Sequence, residues 1–254
     1  MWWLYALIGS FFLSAYIYCN QVFKLSAPLL MMYRGLGVAF LLLPFSFFIW
    51  PSFSIWFFVL GAINGFFIGY IDNRYFRSSK VFGAEATGVM QPLSLVVTFI
   101  FWYVVSPSKI FEIVENPLHF IIVVLCLAGV LYSVIALKNA KASKKALLYL
   151  LPCILIGGIL DTNSKVIIDF GSSERVVAVY IYSMISAFFC GINSMKGYEK
   201  IKRNTGSVWK LSNLKKGLWV MFIIIGLVFF KGYAMGLAPN PAYVVAITYL
   251  APVW

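Results

Sequence analysis

Nine apolar segments follow one another along this chain, at about 2–22, 28–50, 54–73, 82–105, 117–137, 146–168, 175–195, 217–237 and 241–254. All but the last approach the roughly 20 residues that a helix needs to cross a bilayer. The composition agrees: 62% of residues are hydrophobic and 11% charged, far from the globular average, and no soluble domain is visible. The expected fold class is therefore an all-α polytopic membrane protein. The start, Met1-Trp-Trp-Leu-Tyr, has no basic n-region and no small-residue cleavage site, so it reads as a first helix and not as a removable signal. The ninth segment stops without a flanking charge or turn after covering about two thirds of the hydrocarbon core. Nine spans of an expected ten follow, with the chain truncated in the last.

Basic residues fall on alternate connections. Lys24 lies between segments one and two, and Arg74, Arg77 and Lys80 between three and four. Lys138, Lys141, Lys144 and Lys145 lie between five and six, and seven more cations run from Lys196 to Lys216. The other connections hold Lys109, Lys165 and Arg175, and acids outnumber them there. The bias sets the basic loops on the cytoplasmic side and the N-terminus outside. A net charge of +12 would point to nucleic acid in a soluble protein; in these loops it serves orientation and anionic headgroups, and nucleic acid is set aside.

The fourth and ninth segments echo each other. Gly83-Ala-Glu-Ala-Thr-Gly-Val-Met-Gln-Pro92 superposes on Tyr243-Val-Val-Ala-Ile-Thr-Tyr-Leu-Ala-Pro252, matching Ala86 to Ala246 and Met90 to Leu250. Upstream, Arg74-Tyr75 corresponds to Gly232-Tyr233. The chain thus divides into a first repeat over 1–137, a basic linker over 138–145 and a second repeat over 146–254. An odd number of spans per repeat inverts the second against the first, as in many secondary transporters. Proline inside an apolar helix frees a carbonyl, which protein or a wet cavity must satisfy. Pro92 and Pro252 therefore mark the expected central site.

Ionisable side chains deep in spans are costly and mark functional positions. Arg34 and Glu85 lie near the cytoplasmic ends of segments two and four; Asp161 and Lys231 lie about 22 Å up segments six and eight by helix rise. Depth pairs Arg34 with Glu85 and Asp161 with Lys231, as gates on each side of a central site, one carboxylate being available to a coupling proton. Asp72, beside Asn73 and Arg74, is expected at the interface. Between the two levels, Tyr16, Asn64, Gln91, Tyr180 and Ser183 are the candidates to hold a polar solute. Gly61, Gly65 and Gly69 leave one face of segment three without bulk, and Tyr180, Ser183, Ala187, Cys190 and Ser194 form a small or weakly polar stripe on segment seven.

Other chemistry finds no support. Cys19, Cys126, Cys153 and Cys190 form no CxxC pair, and His119 stands alone beside Pro117, so neither a disulfide framework nor a metal site is expected. HExxH, Gly-x-Ser-x-Gly and P-loop motifs are missing, so the chain is not expected to be an enzyme and needs no cofactor. The alternative class is a non-transporting membrane protein, either a partner subunit or a lipid-handling enzyme using Asp161 and Asn163.

The order of motifs resembles the drug/metabolite transporter superfamily, specifically its ten-helix EamA-like members. The matching features are Tyr33-Arg34-Gly35, the glycine-rich third span leading through Tyr75 to Gly83-Ala84 and Gln91-Pro92, Ala128-Gly129-Val130, and Tyr233-Ala-Met-Gly-Leu-Ala-Pro-Asn-Pro-Ala-Tyr243 leading to Leu250-Ala-Pro252. The resemblance implies two inverted five-helix repeats and a substrate cavity built from helices one, three, four, six, eight and nine. It implies secondary transport of a small polar metabolite, amino-acid-like or otherwise zwitterionic, by alternating access across a prokaryotic cytoplasmic membrane. The N-terminus set outside by charge departs from many relatives, and leaves the direction of transport open.

Overall fold

The computed structural model describes residues 1–23, 25–47, 53–83, 87, 90–109, 121, 125, 128–129, 132, 141–195 and 210–250. Its helices are α1 (Trp2–Phe23), α2 (Ala27–Met32), a π-helical turn (Tyr33–Gly37), α3 (Val38–Ser46), α4 (Ile55–Phe82), α5 (Leu93–Val105), α6 (Lys141–Phe170), α7 (Arg175–Met195), α8 (Leu211–Leu237) and α9 (Pro241–Thr248). Among the described residues, six spans are long and apolar enough to cross a membrane: α1, the continuous α2–α3 unit, α4, α6, α7 and α8. This is a multi-pass helical membrane protein. The expected fourth and ninth spans are present as the shorter α5 and α9, while most of the expected fifth span and the 196–209 connection lie outside the described residues.

Local chemistry explains the ends. Both α2 and α9 begin with proline in the first turn, where a missing N–H costs nothing. In α9 the cap is Asn240, whose side-chain oxygen accepts from Ala242 N at 2.8 Å. At its far end α4 stops at Gly83, whose φ of 95° suits glycine alone. Pro92 caps α5, so the fourth segment is broken just where proline interrupts it. Two boundaries differ from those read in the sequence: α4 runs on past residue 73 to Phe82, and α6 begins at Lys141, inside the expected linker. In α4 the added turns are helical because their polar groups find partners: Arg74 donates to the Tyr70 hydroxyl at 2.6 Å and stacks 4.6 Å from the Tyr149 ring.

The bundle has two distinguishable ends. At the basic end α8 starts beside the finish of α1, with Lys216 Nζ donating to the Phe23 carbonyl at 3.1 Å. At the opposite end the Trp2 and Tyr243 rings stack at 6.0 Å. Around the centre α1 packs on α8 and α9, α4 on α6 and α7, and α5 on α6 and α9; the π turn lies against α7 and α8. The glycine face of α4 meets α7 as expected: a Cβ on Gly65 would stand 2.7 Å from the Ser186 Cα, and one on Gly69 2.9 Å from the Cys190 carbonyl oxygen. Toward the opposite end a buried apolar cluster, including Ala6, Phe57, Ile168, Val179, Met235 and Val244, joins α1, α4, α6, α7, α8 and α9 into one plug.

Candidate functional site

Beneath that plug lies a cavity of about 530 Å³, bounded by α1, the π turn, α4, α6, α7, α8 and the end of α9, with Thr87 and Gln91 at the helix break. Arg34 enters it from the π turn, a local widening that recurs at functional positions. Closest to the basic end its wall carries Phe76, Ser79, Thr87 and Gln91; at the plug it carries Lys231, Met235 and Tyr249.

Two ion pairs face this space. Lys231 Nζ donates to Asp161 Oδ1 at 2.8 Å, joining α8 to α6 as the shared depth of the two residues predicts. Arg34 Nη1 stands 2.5 Å from Asp72 Oδ2. The pairing of Arg34 with Glu85 is not what the described residues display: Arg34 is engaged by Asp72, and Glu85 lies outside them. The interfacial expectation for Asp72 is also corrected. Because α4 continues to Phe82, Asp72 sits ten residues before its end, roughly 15 Å inward. Beside the pair, the Arg34 guanidinium carbon lies 5.6 Å from the centre of the Tyr16 ring, and the buried Tyr16 side chain also engages Arg34 through its hydroxyl.

The remaining expected residues divide. Tyr16, Gln91 and Ser183 line the cavity, with Ser183 Oγ donating to Val179 O at 2.6 Å. Asn64 does not line it. Fully buried, its amide nitrogen has three acceptors within reach of its two hydrogens, Tyr182 Oη at 2.7 Å, Ser164 Oγ at 2.9 Å and Leu160 O at 3.2 Å, and its oxygen accepts from Asn163 Nδ2 at 3.1 Å. Asn64 thus orients Ser164 and Tyr182, which do line the wall. Tyr180 turns away, its hydroxyl donating to the Leu42 carbonyl of α3. Pro92 shapes the break without lining the cavity, and Pro252 lies outside the described residues.

Reading the residues alone missed Asp72, Ser164, Tyr182, Ser186 and Tyr249 as wall residues. Tyr249 crosses from the end of α9 to Ser94 of α5, with 2.9 Å between hydroxyl oxygens, tying the two broken segments together. The echo between the segments could have flagged it, since Tyr249 immediately precedes Leu250, the counterpart of Met90. Among the described residues no group of three or more His, Cys, Asp or Glu side chains could hold a metal ion. No family model, curated protein or solved structure matches the chain. The chemistry of this wall is therefore what points to a function. Fixed charges of both signs, four tyrosines and apolar side chains suit a small guest that itself carries both charges and an apolar part.

Proposed function

We propose that this chain is a secondary transporter of a small polar or zwitterionic metabolite, working by alternating access across a cytoplasmic membrane with its basic end in the cytoplasm. The carrying observation is a membrane-embedded cavity lined by two opposite-charge pairs, at 2.5 and 2.8 Å, each joining separate helices. Each pair can open to a guest: Arg34 and Lys231 toward a carboxylate, Asp72 and Asp161 toward an ammonium group. Either carboxylate can also accept a coupling proton.

The packing supports the inverted-repeat reading and the likeness to EamA-like transporters. Exchanging α1 with α6, the α2–α3 unit with α7, α4 with α8 and α5 with α9 turns α1–α8 into α6–α4 and α5–α6 into α9–α1, and every one of these seams is present. The seams α6–α7, α6–α8, α6–α9 and α8–α9 break the exchange: among the described residues α1 has no comparable seam with the α2–α3 unit, α4 or α5, nor α4 with α5. Closed at the α6–α8 side and loose at the α1–α4 side, the bundle corresponds to a state open toward the basic end, with the apolar plug as the shut gate.

Counterflow of a labelled panel of zwitterionic metabolites in proteoliposomes tests the reading. Saturable counterflow that disappears in both Arg34→Gln and Lys231→Met is expected. Zero flux for the whole panel under proton, sodium and potassium gradients would return the chain to the non-transporting class.

A further inference from the structure

Within the plug, α8 ends with no basic residue of its own in its last turn, yet two cations reach it from other helices. Lys165 of α6 places Nζ 3.5 Å from the Gly236 carbonyl oxygen. Arg175, first residue of α7, packs Cδ where a Cβ on Gly236 would stand 2.8 Å away. A helix C-terminus gathers unbonded carbonyls and partial negative charge, so it favours both.

Lys165 is 7% exposed, too deep for the interfacial loop position that sequence assigned to it. Its ammonium is 3.0 Å from each carboxylate oxygen of Asp169 and 5.9 Å from the centre of the Trp102 ring on α5. Asp161, Lys165 and Asp169 fall at four-residue spacing on one face of α6, so Lys165 has a carboxylate a turn away in each direction. The one nearer the cavity, Asp161, is held by Lys231 of α8. Two lysines and two aspartates thus alternate along the seam between α6 and α8, from the cavity into the plug.

We infer that Lys165 is the positioning residue that latches the gate, fastening α6 to the end of α8 and exchanging Asp169 for Asp161 when α8 moves away. The inference rests on the alternating-access reading. When α8 leaves, it takes Lys231 from Asp161 and the Gly236 carbonyl from Lys165. A buried carboxylate stripped of its cation is heavily penalised. Turning the lysine side chain from one neighbouring turn of α6 to the other restores a partner without moving the helix. Asp169, the more exposed carboxylate, is left to water. Both gate positions then keep buried charges paired, which makes two discrete arrangements and not a continuum.

The test reads gate position directly and needs no substrate. A single reporter, Ser183→Cys on the cavity wall, is placed in a chain whose Cys19, Cys126, Cys153 and Cys190 are replaced by serine. It is labelled with a membrane-impermeant maleimide from the face opposite the basic loops. Loss of one charge-assisted hydrogen bond across the gate predicts that Lys165→Met raises the labelling rate about tenfold. Lys165→Arg should stay within about twofold of the parent, since charge and reach survive. Asp169→Asn should raise the rate in the parent but add nothing in a Lys231→Met background, where Lys165 has already turned to Asp161. Unchanged labelling of Lys165→Met that still elutes as a folded, monodisperse species overturns the latch. Should that variant fail to fold, an unchanged rate in Asp169→Asn overturns it equally. An additive effect of Asp169→Asn in the Lys231→Met background refutes the exchange of partners. Missing flux in the unsubstituted chain, with these labelling shifts intact, would sink the transport reading and leave the latch standing.

Discussion

Replacing Lys231 by methionine takes from Asp161 its cation on α8, and a turn of Lys165 toward Asp161 gives up Asp169 and the Gly236 carbonyl in exchange, so a buried pairing is lost either way. The pair is 2.8 Å apart, with side-chain exposures of 27% for Lys231 and 15% for Asp161. At that distance Coulomb attraction is about 1.5 kcal/mol if the surroundings screen like water and about 6 kcal/mol at an effective dielectric of 20. The cavity wall lies between these limits, and removing one partner of a buried pair typically costs about 3–5 kcal/mol, so about 3 kcal/mol is expected here. For a chain of this size that corresponds to a fall of about 6–12 °C in the unfolding midpoint. The assay is thermal unfolding of purified protein in a mild detergent, followed by intrinsic tryptophan fluorescence. Adding Asp161→Leu should return most of the loss, because the double variant buries no lone charge, while counterflow stays abolished. Two outcomes refute the reasoning: single variants that both melt at the parental temperature, or a double variant whose loss equals the sum of the single losses.

Arg34→Gln and Asp72→Asn should be coupled in a double-mutant cycle by more than about 1 kcal/mol in thermal stability, the behaviour of residues in direct contact; additivity would deny that they meet. Asn64→Leu strands donors and acceptors on Asn163, Ser164 and Tyr182, so it should cost about 2–4 kcal/mol in the same melt. Gln91→Leu should instead leave the melting midpoint within about 2 °C and raise the KM of counterflow, since Gln91 lines the cavity. Gly65→Val should prevent recovery of monodisperse protein because its Cβ would meet the Ser186 backbone, whereas Gly61→Ala should be tolerated with its nearest neighbour, Ile185 Cγ2, 3.5 Å away; size-exclusion profiles decide both.

Length and apolarity identify the spans, because a segment in lipid must satisfy its own backbone and a helix does so locally. The packing face of α4 was legible for a related reason: glycines every four residues mean close approach wherever the partner lies, and that partner is α7. Asp161 and Lys231 were likewise paired by depth, since helix rise converts residue number into height when the helix is straight. Height does not give rotation about the helix axis, and rotation decides which side chains face the cavity. Asn64 and Tyr180 share the right depth, but one points into the seam with α6 and α7 and the other toward α3. Nor does apolarity say where a helix ends when its last turns are polar. The extension of α4 to Phe82 brought Asp72 inward to Arg34, and burial among neighbouring helices drew Lys165 out of its expected loop. The chain determines by itself which segments cross the membrane and which charges must be reconciled there. Only the tertiary structure selects the partner of each charge, because that choice depends on helix rotation and crossing position, which side chains far apart in sequence set together.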